Sequence, residues 1–348
     1  MPTPKLSEKE LQKTVDKFTA LNIPQIAVAA RKMNMPVGTL KHRLDLAGYK
    51  PSAVVKKERE FEAPELPSES RELPELIQHR RDEFKRTQSA YHSRKLIDIN
   101  IKKRGPIGIL WAGDAHLDNR GCDFNAVERD CQIINETDGM YGAVLGDTVD
   151  GWVGRLTKLY ANAGTTANEG LKLAEWYFAA APWLFVLGGN HDTWLSSDAL
   201  AAYAKQAGTI YEPHSLRVNL KLPSGHQVRC HARHQFPGSS QWNKAHSITK
   251  YQIMGTRDHI AVCGHIHVSA YNILRDPTSG IAMHSVQVAS YKVHDEYATE
   301  RGFIDQHLSP SAVTVINTNL PETDPSFVTV WWSPEEGADY LTFLRSRQ

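Results

Sequence analysis

Residues 107–116 read IGILWAGDAH, an apolar run that ends in an aspartate and a histidine. The run is continuous rather than alternating, which is typical of a strand covered on both faces of an α/β sheet. Open α/β sheets place their chemistry beyond the carboxyl ends of such strands. We therefore expect Asp114 and His116 to be functional residues at the end of a buried strand.

Four more apolar runs in the chain are followed at once by polar residues. They are AVL before GD (146–147), WLFVL before GGNHD (188–192), HQVRC before HARH (231–234) and HIAVC before GHIH (264–267). Carboxylates, an amide oxygen and imidazoles, with no thiolate among them, suit hard to borderline divalent metals. Five such motifs, each after a predicted strand, indicate a two-metal centre.

In this order the motifs resemble those of the calcineurin-like metallophosphoesterase superfamily, D-x-H, G-D-x-x-D, G-N-H-[DE], a lone histidine and G-H-x-H. Here they read GDAH, GDTVDG, GGNHD, RHQF and CGHIH, within residues 107–270. The resemblance implies an α/β fold of two central mixed β-sheets flanked by helices. It also implies an enzyme, a metal-dependent phosphoric ester hydrolase.

The resemblance assigns the metal ligands as well. Those implied are Asp147 as a bridge, Asp114, His116 and His267 for one ion, and Asn190, His234 and His265 for the other. Two divalent ions are expected, with Mn²⁺ favoured on family grounds and Fe, Zn, Ni or Mg as alternatives. Two ions about 3.5–4 Å apart can clamp a phosphoryl group and activate water.

Three further residues of these motifs are expected to act on the substrate or on the ligands. In the family, the histidine at the position of His191 can protonate the leaving oxygen, which suits an imidazole. The alternative is that His191 only holds its loop. Asp150 is expected to orient a ligand rather than to bind metal, and Asp192 to do the same for His191.

The fourth motif and the loop after it leave alternatives open. Strand alternation puts His231 and His234 on opposite faces, and the position at the strand's end favours His234 as the ligand. Trp242, Asn243 and His246 follow, and their side chains permit hydrogen bonding and base stacking with a substrate. Trp242 could equally be a packed lid.

One departure from the superfamily bears on the substrate. Its phosphoprotein phosphatases carry an arginine after G-D-x-x-D, whereas this chain has Gly151 and Trp152. The difference argues against a phosphoprotein-phosphatase-like site and mildly for diesters, although Arg155 lies close enough in sequence to substitute.

The first 50 residues contain nine Lys or Arg against four acidic residues, a basic balance that the whole chain, at net +1, lacks. AARKMNMPVGTLKHRLDLAGY (29–49) resembles a helix-turn-helix. Its last helix would present the DNA-contacting side chains Thr39, Lys41, His42 and Arg43. The alternative is a three-helix bundle used for docking or oligomerisation.

The expected organisation is a helix-turn-helix-like domain (1–50), a Pro-rich acidic linker with a basic helix (51–95), and the phosphoesterase domain (96–348). No apolar run approaches the ~20 residues of a membrane span, and the N-terminus lacks an apolar signal segment. Four cysteines without paired spacing do not indicate a disulfide framework. We expect a cytoplasmic protein that does not enter the membrane.

Joining a basic helix-turn-helix to a phosphodiesterase-like site favours nucleic acid, DNA above all, as partner and substrate of a nuclease. The pairing resembles nucleases encoded by phages or mobile elements. Two alternatives stay open. One is a phosphodiesterase for cyclic or other small nucleotides, and the other is a DNA-binding regulator whose phosphoesterase domain senses a ligand.

Overall fold

The computed structural model describes residues 6–23, 25–50, 61–62, 64, 70–160, 164–195, 197–294, 302 and 306–347. Two compact units divide the chain, Met1–Leu76 and Ile77–Gln348. Among the described residues, no helix has the length and apolar character needed to cross a membrane.

The described part of residues 6–50 forms three short helices. They are α1 (Glu8–Ala20), α2 (Ile26–Lys32) and α3 (Val37–Leu46). α1 begins at a capping box, in which the Glu10 carboxylate accepts hydrogen bonds from the backbone N–H and the hydroxyl of Ser7. The helices share a small apolar core that includes Phe18, Ala30, Leu40 and Leu44.

The residues predicted to contact DNA lie on α3. Thr39, Lys41 and His42 are exposed, whereas Arg43 is half-buried and its Nε is enclosed without a hydrogen-bond partner. The arrangement leaves the first three side chains available to a ligand. Helix-turn-helix function and DNA contact stay predictions.

The helix α4 (Leu73–Ser93) has no buried residue. Ile77, Phe84 and Tyr91, which the sequence places on one apolar face, are all exposed. Most of the linker predicted over 51–75 lies outside the described residues.

The polar motifs follow strands of two six-stranded sheets. The first sheet has the order β12-β11-β2-β3-β4-β5. Its strands are β2 (Ile107–Ala112), β3 (Met140–Val144), β4 (Trp183–Leu187), β5 (Ile210–Glu212), β11 (Ser311–Ile316) and β12 (Val328–Trp331). β2 to β5 are parallel to one another, whereas β11 is antiparallel to both β2 and β12, so the sheet is mixed.

The second sheet has the order β1-β6-β7-β8-β10-β9. Its strands are β1 (Ile97–Asn100), β6 (Ser215–Lys221), β7 (Gln227–Arg233), β8 (Ile260–Cys263), β9 (Ala270–Arg275) and β10 (Ala282–Gln287). β7, β8 and β10 are parallel, β1 is parallel to β6, and the β6–β7 and β9–β10 pairs are antiparallel.

The main core lies where inward residues of both sheets meet, among them Trp111, Phe185, Val218 and Val262. Leu110 of β2 instead packs outward against helices, so β2 is covered on both faces, as its continuous apolar run predicts. The covering helices are α5 (Phe124–Glu136), α6 (Ala167–Ala179), α8 (Ser197–Gln206) and α10 (Pro334–Arg345) over the first sheet, and α9 (His246–Met254) over the second.

The predicted fold class is therefore confirmed: two mixed sheets flanked by helices, preceded by a small helical unit. Parallel β2, β3 and β4 end on one edge of the first sheet, and parallel β7 and β8 end on the corresponding edge of the second. The polar motifs follow these five strand ends.

Candidate metal centre

Four of the predicted ligands have a left-handed backbone conformation. The φ angles are 43° at His116, 48° at Asp147, 74° at His265 and 51° at His267. A residue with a Cβ atom costs about 1–2 kcal/mol in this region, and such residues cluster at functional sites. Each of these residues lies in the segment that directly follows a strand of the site.

The glycine before two of the ligands is required by close packing. A Cβ atom on Gly189 would lie 2.0 Å from Oδ1 of Asp147, and one on Gly264 would lie 2.2 Å from Oδ1 of Asp114. Both distances are far below van der Waals contact. The G-N-H and G-H motifs thus carry glycine because another ligand occupies the place of its side chain.

Asp114, His116 and His267 form a first group of donors. Nε2 of His267 lies 3.3 Å from Nε2 of His116 and 3.3 Å from Oδ2 of Asp114. Oδ1 of Asp114 is enclosed without a hydrogen-bond partner. Two imidazole nitrogens and a buried carboxylate that face one another suit a shared cation.

A second group surrounds His234, a buried residue that is 5% exposed. Its Nε2 lies 3.2 Å from Oδ2 of Asp147, 3.1 Å from Oδ1 of Asn190 and 3.0 Å from Nδ1 of His265. Ligands about 2.1 Å from one ion, at right angles to each other, would be about 3 Å apart. Nδ1 of His234 faces the carbonyl oxygen of Leu145 at 3.0 Å, which directs Nε2 toward the group.

The electrostatics of the second group favour a positive charge. Burial lowers the pKa of His234, but the carboxylates of Asp114 and Asp147 outweigh it and raise that pKa to about 9. Burial likewise opposes ionisation of Asp147, yet its contact with His234 holds the pKa of the carboxyl well below its usual range. A cation bound to these groups would supply the charge that a proton supplies here.

Asp147 also accepts a hydrogen bond on its other oxygen. The backbone N–H of His191 donates to Oδ1 at 2.9 Å, while Oδ2 faces His234. Among the described residues, three groups of donors could hold a metal: Asp147 with His234 and His265, Asp114 with His116 and His267, and His116 with Asp150 and His191. Asp147 is fixed in place by this hydrogen bond, as a bridging ligand would need to be.

Asp150 lies behind the first group. Its Oδ1 is 2.8 Å from Nδ1 of His116, and its Oδ2 accepts a hydrogen bond from Asn119. Burial opposes ionisation, but the contact with His116 prevails and lowers the pKa of Asp150 to about 2. A carboxylate on one imidazole nitrogen orients the other toward a metal. This geometry matches the orienting role expected for Asp150, which stays a prediction.

His191 is half-buried between two indoles. Its ring centroid lies 4.9 Å from that of Trp152 and 4.7 Å from that of Trp194, and its Nδ1 contacts the carbonyl oxygen of Asp150. Burial, and then the neighbouring His116, lower the pKa of His191. The ring centroid lies 5.0 Å from that of His116 in the first group, where it could meet a bound phosphoester.

Asp192 has a different position from the one expected. Its carboxylate accepts hydrogen bonds from the backbone N–H groups of Thr148, Val149 and Gly189. Burial, with the charge of Asp147, raises the pKa of Asp192 to about 7. Asp192 therefore connects the loops after β3 and β4. The His191 ring contacts the backbone carbonyl of Asp150 instead of the Asp192 side chain.

The remaining predicted residues lie around the β7 end. His231 packs against Phe236 on the face away from the donor groups, and burial lowers its pKa to about 4. Trp242 is 95% exposed, so it does not form a packed lid. Asn243 accepts a hydrogen bond from the backbone of Ala245 at the start of α9, and His246 is half-buried on that helix.

Sequence reasoning did not identify Asp118, Asn119 or Lys292. Asp118 accepts the backbone N–H of Asp150 at 2.7 Å, and burial with the charge of Asp150 raises its pKa to about 6. Nζ of Lys292 lies 4.0 Å from Oδ1 of Asp150. Asp118 and Asn119 directly continue the first motif, as DAHLDN, and could have been found from that position. No sequence motif marks Lys292.

The fold and site together define an α/β sandwich whose Asp and His clusters, at the shared edge of two sheets, could hold metal ions. No family model and no curated protein matches the chain.

Solved structures with some likeness include a Haemophilus influenzae NAD nucleotidase, with 9% identity, 65% of this chain and 49% of that chain covered, and a TM-score of 0.36. They also include GAP50, the anchor in the inner membrane complex of Plasmodium, with 10% identity, coverage of 69% and 95%, and a TM-score of 0.33. The chain spans about half the length of the nucleotidase.

Proposed function

We propose that the protein is a binuclear metal-dependent phosphoesterase that hydrolyses phosphodiesters and acts as a nuclease, with DNA as the favoured substrate. The observation that supports it most is the convergence of seven donor side chains from five strand ends. They are Asp114, His116, Asp147, Asn190, His234, His265 and His267. Nitrogen and oxygen donors of this kind suit Mn²⁺, the ion expected at both positions.

When bound, two divalent ions would offset the phosphate charge and lower the pKa of an attacking water. The chain's own residues hold the geometry. Asp150 would orient His116, and the backbone N–H of His191 holds Asp147 beside His234, from where we propose that it bridges the two ions. The His191 ring, near the donors but outside the two ligand sets, is placed to give a proton to the leaving oxygen.

The environment of His191 supports a diester substrate. In the sequence, Gly151 and Trp152 follow G-D-x-x-D where phosphoprotein phosphatases of the superfamily carry an arginine, and the Trp152 ring lies 4.9 Å from that of His191. An indole makes no ion pair with a dianion, whereas a diester carries one negative charge and an organic group on each side. The site therefore suits an internucleotide phosphate better than a terminal one.

Nucleic acid as substrate rests on the N-terminal unit. Lys41 and His42 are exposed on α3, in a segment that carries a basic excess. A tethered DNA-binding unit raises the local concentration of the enzyme on bound strands. Cleavage should then fall near the bound site.

Asp147→Asn tests the proposal. Metal-free protein is reloaded with Mn²⁺ and assayed on bis-p-nitrophenyl phosphate, labelled single- and double-stranded DNA, RNA and cyclic nucleotides. The variant should lose hydrolysis to the background of chelated protein while its circular dichroism is retained. Asp130→Asn is the control, because Asp130 is a buried carboxyl bound by Tyr291 and Ser311. Equal rates for chelated and loaded wild type would refute metal dependence, and much faster turnover of cyclic nucleotides would refute the nuclease assignment.

A further inference from the structure

We propose that Trp152 and Trp194 form a nucleobase-binding wall beside the metal centre. The inference rests on the proposed function and deepens it, since it names the part of the substrate that the site recognises. A base attached to the scissile phosphate would lie against the indoles, and the phosphate would lie at the donor groups.

The position of Trp152 is fixed by its neighbour. Gly151 has φ 51°, and a Cβ atom on it would lie 2.2 Å from the carbonyl oxygen of His191. The loop after Asp150 therefore packs directly against the start of α7 (Asn190–Leu195). This close approach brings Trp152 to one side of the His191 ring, and Trp194 of α7 lies at another.

Both indoles keep surface open to solvent. Trp194 is 40% exposed and Trp152 is partly exposed, whereas the core residue Trp111 is fully buried. Val153 and Leu156, which follow Trp152, are 40% and 39% exposed and extend the apolar surface. Nζ of Lys292 lies 5.7 Å from the centroid of the Trp152 ring, so Trp194 offers the more open surface of the two. Partly exposed aromatic rings beside a polar site are suited to stacking with bases, which every nucleotide offers.

A purely positioning role is the competing explanation. If the indoles only hold His191, their removal should lower kcat on diesters with alkoxide leaving groups and change both nitrophenyl esters little and equally, because p-nitrophenolate leaves without a proton. If they bind a base, their removal should raise KM only where a base is present. Two substrates with one leaving group separate these effects.

The experiment compares thymidine 5′-(p-nitrophenyl phosphate) with methyl p-nitrophenyl phosphate on the full-length, Mn²⁺-loaded protein. Trp194→Ala and Trp152→Ala should lower kcat/KM for the thymidine ester about 5- to 150-fold, mainly through KM, which is the range for one stacked base. The methyl ester should change by no more than about twofold. The matched control is Trp176→Ala, also 40% exposed but stacked on Phe124, and it should change neither.

A positioning role would lower kcat on a diester with an alkoxide leaving group. An equal change on both nitrophenyl esters, or no change on either, would overturn the inference. So would a wild type that does not prefer the thymidine ester. If wild type hydrolyses neither ester, the proposed function fails, and binding then decides the inference separately. Thymidine 5′-monophosphate and methyl phosphate are titrated calorimetrically: tighter binding of the nucleotide, lost in Trp194→Ala, supports the wall, and equal binding of both overturns it.

Discussion

Nδ1 of His116 lies 2.8 Å from Oδ1 of Asp150, and both side chains are buried. Burial opposes protonation of His116, but the Asp150 carboxylate outweighs it and raises the pKa of the imidazole. The contact determines which nitrogen faces the donor group, so Nε2 is the atom directed toward His267. We therefore expect Asp150 to act on a bound metal through His116.

Asp150→Asn should weaken Mn²⁺ binding at one of the two positions about 10- to 100-fold, the usual effect of removing such a partner. An amide oxygen accepts a weaker hydrogen bond from Nδ1 of His116 than a carboxylate does, and it carries no negative charge. Isothermal titration of chelated protein with Mn²⁺ measures the change, with Asp130→Asn as the buried-carboxyl control. A folded variant that binds two ions as tightly as wild type would contradict the assignment.

His191→Ala should slow hydrolysis about 10²–10⁴-fold on diesters with poor, alkoxide leaving groups and much less on nitrophenyl esters. The reason is that a poor leaving group needs a proton and p-nitrophenolate does not. The measurement is kcat on both classes, with metal content checked by elemental analysis. His214→Ala, at an exposed histidine, is the control. Equal losses on both classes, together with a missing ion, would show that His191 is structural.

The strand ends could be predicted from sequence because the information is local. Ile107–Ala112 is buried at every residue, as a continuous apolar run indicates, and Asp114 follows two positions later. The capping box of Ser7 and Glu10 is local too, since its partners are three residues apart. Local sequence patterns therefore predict the strands of the site and the order in which the candidate ligands follow them.

Contacts between distant segments could not be predicted in this way. β11 lies beside β2 although about two hundred residues separate them, and nothing in SAVTVI indicates that partner. The two indoles around His191 come from positions 152 and 194, which are brought together only by the packing of Gly151 on α7. The same holds for Asp192, whose backbone partners are set by the crossing of two loops.

His231 should make the protein less stable in acid. Burial, with the charges of Arg233 and Arg217 against that of Asp258, lowers its pKa to about 4 from 6.5. The unfolded chain then binds a proton that the folded chain refuses, so stability falls as pH drops from 6.5 toward 4. One such group accounts for about 1–2 kcal/mol near pH 5.

His231→Leu, which keeps an apolar contact with Phe236, should remove this part of the pH dependence. Urea unfolding of chelated protein from pH 7.5 to 4.5 measures it, and chelation removes the effect of pH on metal binding. The free energy of unfolding of the variant should rise relative to that of wild type as pH falls. If the difference in free energy of unfolding stays constant across the range, folding does not lower the pKa of His231.

The last prediction concerns α3 as a DNA-binding surface. Replacing Lys41 and His42 together with alanine should lower the affinity of the full-length protein for duplex DNA about 10-fold or more, since base and phosphate contacts are lost together. Arg43 is unsuitable for this test, because it is half-buried and its Nε is enclosed.

The control is Lys13→Ala with Lys17→Ala, two exposed lysines of α1. At pH 7 this control removes more positive charge than the α3 variant, so a general electrostatic attraction would make it the weaker binder. Fluorescence anisotropy at several salt concentrations should show the reverse order if α3 contacts DNA. Equal or greater loss in the α1 variant would leave only unspecific attraction, and unchanged binding in both would exclude the N-terminal unit as the DNA-binding element.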